Sequence, residues 1–208
     1  MRERIKEAAI ELLIKNGYQG LRFRDIAERL QITRANIHYH FGSKQQLADE
    51  VIIEYVQEAQ KSYKKIWLSK TFSLEEKIVR MKDETKKRYL KYNPEGSAGS
   101  PWSLLARMRL ERDLLGDKTR EAVERYGENL ESFIVEGLTM AVEKKELTED
   151  APINDLALQL VAITNSAGPI TQDTGSFERL EELYLAFGRI VRHAYGAAPA
   201  AAKAPGGT

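Results

Sequence analysis

The 208-residue sequence predicts an all-α fold of about nine helices, in which a small N-terminal three-helix unit precedes a longer helical body. Apolar residues recur at spacings of three and four along almost the whole chain, and this repeat places them on one face of successive helices. No segment shows the alternation of apolar and polar residues that is typical of strands. Gly, Pro and Asn residues interrupt the repeat at intervals of helix length, where helices are expected to end.

Composition narrows the class of protein. With 42% hydrophobic and 30% charged residues, the chain is able to bury a sizeable core in one or two domains. It contains no Cys, has no run of the ~18 apolar residues that a membrane span needs, and begins with a charged amphipathic segment instead of a secretory signal. We therefore expect a cytoplasmic protein without a membrane partner. A formal net charge of +1 restricts any nucleic-acid contact to a local patch.

The first helix is predicted from Arg2 to Asn16 and ends at Gly17, a residue that commonly stops helices. A long helix starts at Lys44 and carries its apolar residues away from the N-terminal unit, so we expect it to connect that unit to the body. These patterns place an N-terminal domain at residues 1–47, a helical domain at 48–195 and a low-complexity Ala, Pro and Gly tail at 196–208.

The segment from Arg24 to Leu47 predicts two short helices that meet at a tight turn, which is the helix-turn-helix arrangement. In the second helix, Ile37 and Phe41 lie one turn apart and define the inward face. Thr33 precedes this helix, where a hydroxyl can cap its free amide groups. The apolar face of the first helix consists of Ile26, Ala27 and Leu30. The break between the two helices consists of Gln31, Ile32 and Thr33.

The outward face of the second helix is polar, aromatic and cationic, and it carries no acidic residue. Arg pairs with guanine edges, Asn pairs with adenine, and a small Ala allows approach to a thymine methyl group. An ordinary solvated face remains the alternative. A metal site at His38 and His40 is excluded because residues two apart on a helix point about 200° apart. On this face Ala35, His38 and Tyr39 point outward, Arg34 and Asn36 lie at the flanks, and His40 lies nearer the inward side.

These residues resemble the N-terminal signature of the TetR family of bacterial transcriptional regulators over roughly the first fifty residues, where several fixed spacings agree at once. The matching residues are Asp25-Ile26-Ala27, Ile32-Thr33, Ile37-His38-Tyr39-His40-Phe41, Ser43-Lys44 and Leu47. The resemblance implies that one set of side chains faces base edges and a second set holds phosphate. The first set is Arg34, Ala35, Asn36 and His38; the second is Tyr39, His40 and Lys44, and Thr33 completes the predicted DNA-binding residues.

The sequence departs from the family pattern at two places. Gln31 occupies the turn position where the family commonly has Gly, so we expect some strain or a different shape there. The family tends to open the first helix of the pair with a capping Thr or Ser, whereas here Arg22 and Arg24 flank Phe23. Both arginines are candidates for phosphate contacts, and surface pairing with Asp25 and Glu28 is the alternative.

Beyond residue 69 the apolar pattern stays helical. One helix is predicted from Ser73 to Tyr92, and a loop of small residues follows from Glu95 to Ser100. A short helix opens at Pro101 and a long one follows Asp117. The last two are predicted from Pro152 to the Gly168-Pro169 pair and from Ser176 to about residue 195.

The last two helices are predicted to form a four-helix interface with their copies in a second subunit. The last helix alternates spacings of three and four, which suits packing against another helix at a shallow angle. The resemblance adds that family members pair through their two final helices; an intrachain core is the alternative. The predicted interface residues are Leu156, Leu160, Phe177, Leu180, Tyr184, Phe187 and Val191.

In this family the middle helices hold a small effector, and the resemblance extends that expectation to this chain. Large or adaptable residues on those helices are the candidates, although an ordinary core role is the alternative for each. Few polar residues are expected there, so a largely apolar small molecule is predicted. The candidates are Tyr89, Trp102, Met108, Phe133 and Met140.

The sequence contains no arrangement of residues typical of catalysis, and no cofactor or metal is expected. The leading hypothesis is a ligand-responsive repressor that binds a palindromic operator as a homodimer and is released by a small molecule. The alternatives are an activator of the same fold, an enzyme on an all-α scaffold, or a helical small-molecule-binding or interaction protein without operator binding.

Overall fold

The computed structural model describes residues 1–94 and 99–197. Within these residues the chain forms ten α-helices and one short 3₁₀ helix at Arg112–Leu114, and it has no strand, which confirms the all-α fold. The predictions for the loop at 95–98 and for the tail beyond 197 lie outside the described residues. The helices are α1 (Arg2–Gly20), α2 (Phe23–Leu30), α3 (Arg34–Phe41), α4 (Lys44–Trp67), α5 (Leu74–Tyr92), α6 (Leu104–Leu110), α7 (Asp117–Glu143), α8 (Ile153–Asn165), α9 (Ala167–Thr174) and α10 (Glu178–Tyr195).

Helix α1 does not end where the sequence predicted. Gly17 has φ 71° and ψ −176°, values outside the helical region, yet the chain returns to helix and continues to Gly20. A glycine adopts positive φ without the steric cost that a Cβ would bring. The residue read as a helix stop is therefore a kink within α1.

Two polar side chains set the start of α5 as the sequence predicted. The Ser73 hydroxyl accepts a hydrogen bond from the Glu76 amide at 3.2 Å, and the Glu76 carboxylate accepts one from the Ser73 amide at 2.8 Å. This reciprocal capping box satisfies two amide groups that the helix itself leaves unpaired.

Helices α4 and α7 pack closely in the middle of the protein. Trp67, fully buried at the end of α4, lies against Gly137 of α7. A Cβ at Gly137 would lie 2.5 Å from Cε3 of the Trp67 ring and 3.0 Å from its carbonyl oxygen. The absence of a side chain at Gly137 thus sets how closely the two helices approach.

The Gly168-Pro169 pair does not end the helical region, contrary to the sequence prediction. Helix α8 ends at Asn165, and α9 then runs from Ala167 to Thr174 with Pro169 in its first turn. The first amide groups of a helix have no partner within it, so a proline there removes no hydrogen bond. The extra helix accounts for the count of ten instead of about nine.

The side chains predicted for the dimer interface lie inside their own chain. All seven are buried, with at most 5% of each residue exposed: Leu156, Leu160, Phe177, Leu180, Tyr184, Phe187 and Val191. The spacing of three and four marks the stripe that fills the protomer core, and a side chain enclosed there does not also face a partner. The apolar side chains left on the outer faces of α8 and α10 include Leu158 and Ile190, which are 58% and 65% exposed.

Helices α8 and α10 run antiparallel. The Tyr184 hydroxyl donates to Thr164 Oγ1 at 3.1 Å, while the Thr148 amide, just before α8, donates to the Tyr195 carbonyl at 2.8 Å. The late part of α8 therefore meets the early part of α10, and the two starts lie far apart. This register places the outward Leu158 at the level of Ile190. None of the helices described in residues 1–94 and 99–197 is long and apolar enough to cross a membrane.

We predict that Gly137→Ala lowers the free energy of unfolding by roughly 1–3 kcal/mol, because the new methyl group meets the buried Trp67 ring and backbone. Urea denaturation measures the change. Gly127→Ala, in the same helix, is the control: the nearest atom to its Cβ is Arg109 Nη2 at 4.0 Å. Alanine there should stabilise the helix by up to about 1 kcal/mol. Equal effects of the two substitutions would contradict the packing argument.

Candidate nucleic-acid interface

Helices α2 and α3 meet at a turn built on a left-handed residue. Gln31 has φ 55° and ψ 45°. Its amide donates to the Glu28 carbonyl at 3.3 Å, and the Ile32 amide donates to the Ala27 carbonyl at 3.0 Å. Gln31 thus adopts the left-handed conformation for which glycine is favoured, and its Cβ causes local steric strain there.

The packing and capping of α3 follow from three residues. The Thr33 hydroxyl accepts a hydrogen bond from the Asn36 amide at 3.2 Å and caps the helix. Ile37 and Phe41 are buried in the core. Because these two side chains face inward, the rotation of the helix is fixed, and so is the set of residues that face solvent.

The solvent-facing side of α3 has no carboxylate. Arg34, Ala35, His38 and Tyr39 are exposed, and Tyr39 keeps 85% of its surface in solvent. Asn36 is partly buried, and its Oδ1 has no hydrogen-bond partner among the described residues. Contact of Asn36 with a base therefore requires its side chain to rotate outward.

His38 is held in one orientation by two contacts. Its Nδ1 lies 2.8 Å from the Gly42 carbonyl oxygen, and its ring meets the Phe23 ring at a centroid distance of 4.8 Å. Because a carbonyl oxygen only accepts hydrogen bonds, Nδ1 carries the proton in this contact. Nε2 is then the ring nitrogen left for an external partner.

Lys44 lies in the first turn of α4, beside the second part of α1. Its Nζ donates to the Gln19 carbonyl at 3.3 Å and lies 4.6 Å from the centroid of the Tyr18 ring. Burial, and then the charge of Arg22, lower the pKa of Lys44. An anion placed at this helix N-terminus would relieve the repulsion between the two cations and interact favourably with the helix dipole.

The two candidate arginines at the start of α2 differ in their surroundings. Arg24 lies 3.6 Å from both Asp25 and Glu28, which is the surface pairing weighed as the alternative. Arg22 is exposed and has no carboxylate within 4.0 Å among the described residues. The charge of Arg22 acts on Lys44, whereas Arg24 is partly neutralised.

A hydrogen bond that the sequence did not predict joins α1 to the segment after α6. Glu111 Oε2 accepts from the Tyr18 amide at 2.6 Å, and the same carboxylate pairs with Arg107 at 2.8 Å. The kink at Gly17 makes this contact possible, because a Cβ at Gly17 would lie 2.0 Å from Glu111 Oε1. Tyr18 and Glu111 are 93 residues apart, and the only local signal in the sequence was the glycine itself.

A second polar contact joins α1, α4 and α7. The Tyr18 hydroxyl donates to Gln45 Oε1, whose amide nitrogen donates to Asp49 at 2.8 Å. Asp49 also accepts a hydrogen bond from the Thr119 hydroxyl. Tyr18 therefore contacts Glu111 through its backbone, and its side chain is linked to Thr119 of α7 through Gln45 and Asp49.

The five predicted effector residues do not line one cavity together. Trp102 donates to Thr171 Oγ1 at 2.7 Å and lines a small cavity in the body. Tyr89 packs edge-on against Trp102 behind that wall, and Met108 is fully buried. Phe133 is packed against the core, and the sulfur of Met140 lies 3.7 Å from Lys77 Nζ. Only Trp102 among the five lines the cavity, and the polar residues that share it were not predicted.

Comparison with known proteins supports the reading of the N-terminal segment. Residues 5–51 match the family described as "Bacterial regulatory proteins, tetR family". The same region is 35% identical over 52 residues to the biofilm operon icaADBC HTH-type negative transcriptional regulator IcaR of Staphylococcus aureus. This alignment covers 25% of the chain and 28% of IcaR, so the two proteins are matched over about a quarter of their lengths.

The fold is shared over nearly the whole chain. A TetR transcriptional regulator from Legionella pneumophila superposes with a TM-score of 0.72 at 22% identity, covering 92% of this chain and 97% of that one. The TetR family regulator CifR, solved with 26-bp double-strand operator DNA, superposes with a TM-score of 0.71 at 17% identity, covering 91% and 96%. The N-terminal segment at residues 5–51 therefore matches the family described as "Bacterial regulatory proteins, tetR family", and the fold of the chain is shared with solved regulators.

Proposed function

We propose that this protein is a ligand-responsive transcriptional repressor that binds a near-palindromic operator as a homodimer. The observation that carries the proposal is the outer face of α3, which presents Arg34, Ala35 and His38 to solvent without a carboxylate among them. A face of this kind is repelled less by DNA than the Glu-containing faces of ordinary surface helices, because it carries no negative charge. The proposed domain division remains at residue 47, within the first turns of α4.

The base-reading role belongs to the first half of α3. Arg34 is able to pair with guanine, Ala35 permits close approach to a thymine methyl group, and Asn36 is able to pair with adenine once it rotates outward. His38 offers Nε2, because Nδ1 is held by the Gly42 carbonyl. Helix-turn-helix proteins place such a helix in the major groove.

The phosphate-binding role belongs to the end of α3 and the start of α4. Tyr39 and His40 lie in the last turn of α3 and Lys44 lies in the first turn of α4, where a helix has amide groups available to an anion. Arg22 adds a second full positive charge. These contacts fix the position of the protein on DNA and carry no base information by themselves.

The repressor role is supported by the relatives. IcaR is described as a negative transcriptional regulator, and CifR was solved bound to operator DNA. An activator with the same interface is the alternative, and the position of the operator relative to the promoter distinguishes them. Ligand release requires that the effector bind the DNA-free arrangement more tightly than the DNA-bound one.

The dimer interface is proposed on the outer faces of α8 and α10. Leu158 and Ile190 lie at the same level on these antiparallel helices, and both are more than half exposed. The exposed alanines Ala162 and Ala194 allow close helix approach beside them. A twofold dimer sets the two α3 helices about 34–36 Å apart, one turn of DNA.

Selection of random duplexes with the purified full-length protein tests the proposal as a whole. We expect recovery of an inverted repeat whose half-sites are about one helical turn apart. Recovery of no symmetric motif would overturn operator binding and favour a helical interaction protein instead.

For the selected operator, we predict different effects of Lys44→Ala and Asn36→Ala. Loss of the Lys44 charge should weaken binding to all duplexes alike and reduce the slope of log affinity against log salt by about 1. Loss of the Asn36 amide should relax the preference at one base pair, at a cost of roughly 1–3 kcal/mol. Electrophoretic mobility shifts at several salt concentrations measure both.

Lys61→Ala is the matched control, because Lys61 is exposed on α4, seventeen residues beyond Lys44. That distance along a helix is roughly 25 Å, beyond the Debye length at physiological salt. The Lys61 variant should bind operator as the wild type does. If Lys44→Ala and Asn36→Ala changed salt slope and base preference equally, the assigned roles would be wrong.

We predict that Ile190→Glu converts the dimer to monomer, because it places a charge at the centre of the proposed apolar contact. Sedimentation velocity measures the oligomeric state, and operator affinity should fall with it. Leu90→Glu is the control, since Leu90 is a 45% exposed leucine on α5, away from the outer faces of α8 and α10. A dimer that persists in Ile190→Glu would place the interface elsewhere.

A further inference from the structure

A small cavity of about 30 Å³ lies in the helical body, enclosed by α4, α5, α6, α7 and α8. Its wall combines four aromatic rings, three aliphatic hydroxyl groups, two guanidinium groups and one carboxamide, with a single leucine. The lining is more polar than the largely apolar site expected from the sequence. The lining residues are Tyr55, Tyr63, Thr85, Arg88, Trp102, Ser103, Leu105, Arg109, Tyr126, Thr164 and Asn165.

The charge of Arg88 is balanced within the chain. Its guanidinium donates to Glu84 Oε1 at 3.1 Å and lies 4.9 Å from the centroid of the Tyr63 ring. The side chains of Arg88 and Glu84 are both largely buried, so this pair is weakly screened by solvent. Arg88 therefore leaves little charge for an external anion.

Arg109, on α6, is not balanced in this way. Among the described residues its guanidinium group has no carboxylate within 4.0 Å and no hydrogen-bond partner, and it lies 5.8 Å from the centroid of the Tyr126 ring. Burial lowers the pKa of Arg109, which is the expected effect of removing a cation from water without an anionic partner. Arginine nevertheless keeps its proton, so the cavity carries one uncompensated positive charge.

Other polar groups in the wall also lack partners within the described residues. Asn165 Oδ1 is fully buried without a hydrogen bond. The hydroxyl groups of Tyr55 and Tyr126 make none either. The neighbouring hydroxyls differ: Tyr63 contacts Thr85 at 2.9 Å, and Thr85 contacts Tyr184 at 3.4 Å. Buried polar groups in proteins are normally satisfied, so the unsatisfied Asn165 Oδ1 indicates a missing partner, and the unpaired Tyr55 and Tyr126 hydroxyls, which are not fully buried, leave further polar groups for a ligand.

We propose that this cavity binds a small organic monocarboxylate, whose carboxylate group pairs with Arg109. This inference rests on the proposed function and names the class of effector. A planar carboxylate accepts two parallel hydrogen bonds from a guanidinium group. One free positive charge matches a monoanion better than a phosphate dianion. The Tyr, Trp and Leu side chains of the wall suit a compact apolar or aromatic body.

The size of the cavity couples binding to movement. Ligand sites usually have volumes of roughly 300–1,000 Å³, so this cavity must open to admit an organic acid. Arg109 lies on α6, two residues before Glu111, whose carboxylate holds the Tyr18 amide of α1. Opening the wall at α6 therefore displaces the residue that contacts the DNA-reading unit.

Isothermal titration of the DNA-free, full-length protein tests this proposal with benzoate, phenylacetate, hexanoate and inorganic phosphate, and with benzamide as the neutral counterpart of benzoate. We expect at least one carboxylate to bind. If benzoate binds, benzamide should bind at least tenfold more weakly than benzoate. Inorganic phosphate should not compete with the bound carboxylate. Arg109→Gln should weaken carboxylate binding at least tenfold. Arg109→Lys, which keeps the charge without the planar fork, should fall between Arg109→Gln and the wild type.

Arg125→Gln is the control, because Arg125 is exposed on α7 outside the cavity; it should bind as the wild type does. Thermal unfolding checks that the variants fold, and Arg109→Gln should not lower Tm, since it removes a half-buried cation without a carboxylate partner. The proposal is overturned if no carboxylate binds, if carboxylate binding is unchanged in both Arg109 variants, or if phosphate is preferred. The duplex selection is done without ligand, so its result tests operator binding independently of carboxylate binding.

Discussion

The close packing of α4 against α7 is the constraint on which the other parts of the structure depend. Helix α4 begins at Lys44 beside α2 and α3, buries Leu47, and ends at Trp67 against the bare backbone of Gly137. Because α4 contacts both α3 and α7, its position sets where α3 lies relative to the body. A helix anchored at both ends transmits displacement as a rigid element, which is the physical requirement for communication between two distant sites.

Polar groups inside the body fall into two kinds. The hydroxyls of Tyr63, Thr85, Tyr184 and Thr164 form a continuous chain that links α4, α5, α10 and α8. A satisfied network of this kind favours one packing arrangement over its competitors. Around Arg109 and Asn165 the polar groups are left without such partners. The hydroxyl chain and the unsatisfied groups around Arg109 and Asn165 lie side by side. A ligand could therefore order the groups around Arg109 while the hydroxyl chain stays fixed.

Local sequence signals predicted the parts of the structure that local physics determines. Ile37 and Phe41 fixed the rotation of α3, and Ser73 fixed the start of α5, because each effect acts within one helical turn. The resemblance of the first fifty residues supplied the family. The inward stripe of α10 was correctly recognised as a packing surface, but periodicity does not say whether a stripe packs inside one chain or between two. Its burial in the protomer moved the candidate interface to Leu158 and Ile190.

Contacts between distant residues were beyond the reach of these signals. Pairing of Arg24 with Glu28 could be weighed in advance because the two lie one turn apart, whereas the contact of Glu111 with Tyr18 spans 93 residues. Gly17 was read as a helix stop because glycine is common there, and only the folded chain shows the carboxylate that occupies the space of its missing side chain. The polar cavity was missed for the same reason, since its wall is assembled from five helices.

For the proposed function, Tyr18 implies a particular mode of release from DNA. Its amide is held by Glu111, and its ring lies against Lys44. A shift at Glu111 would therefore reach Lys44, a proposed phosphate contact, directly through Tyr18. A protein released by loss of a phosphate contact would have a lower affinity for all DNA while keeping its sequence preference. It would leave its operator without gaining affinity for other sites, and so would be free to rebind the same operator as soon as the effector is gone.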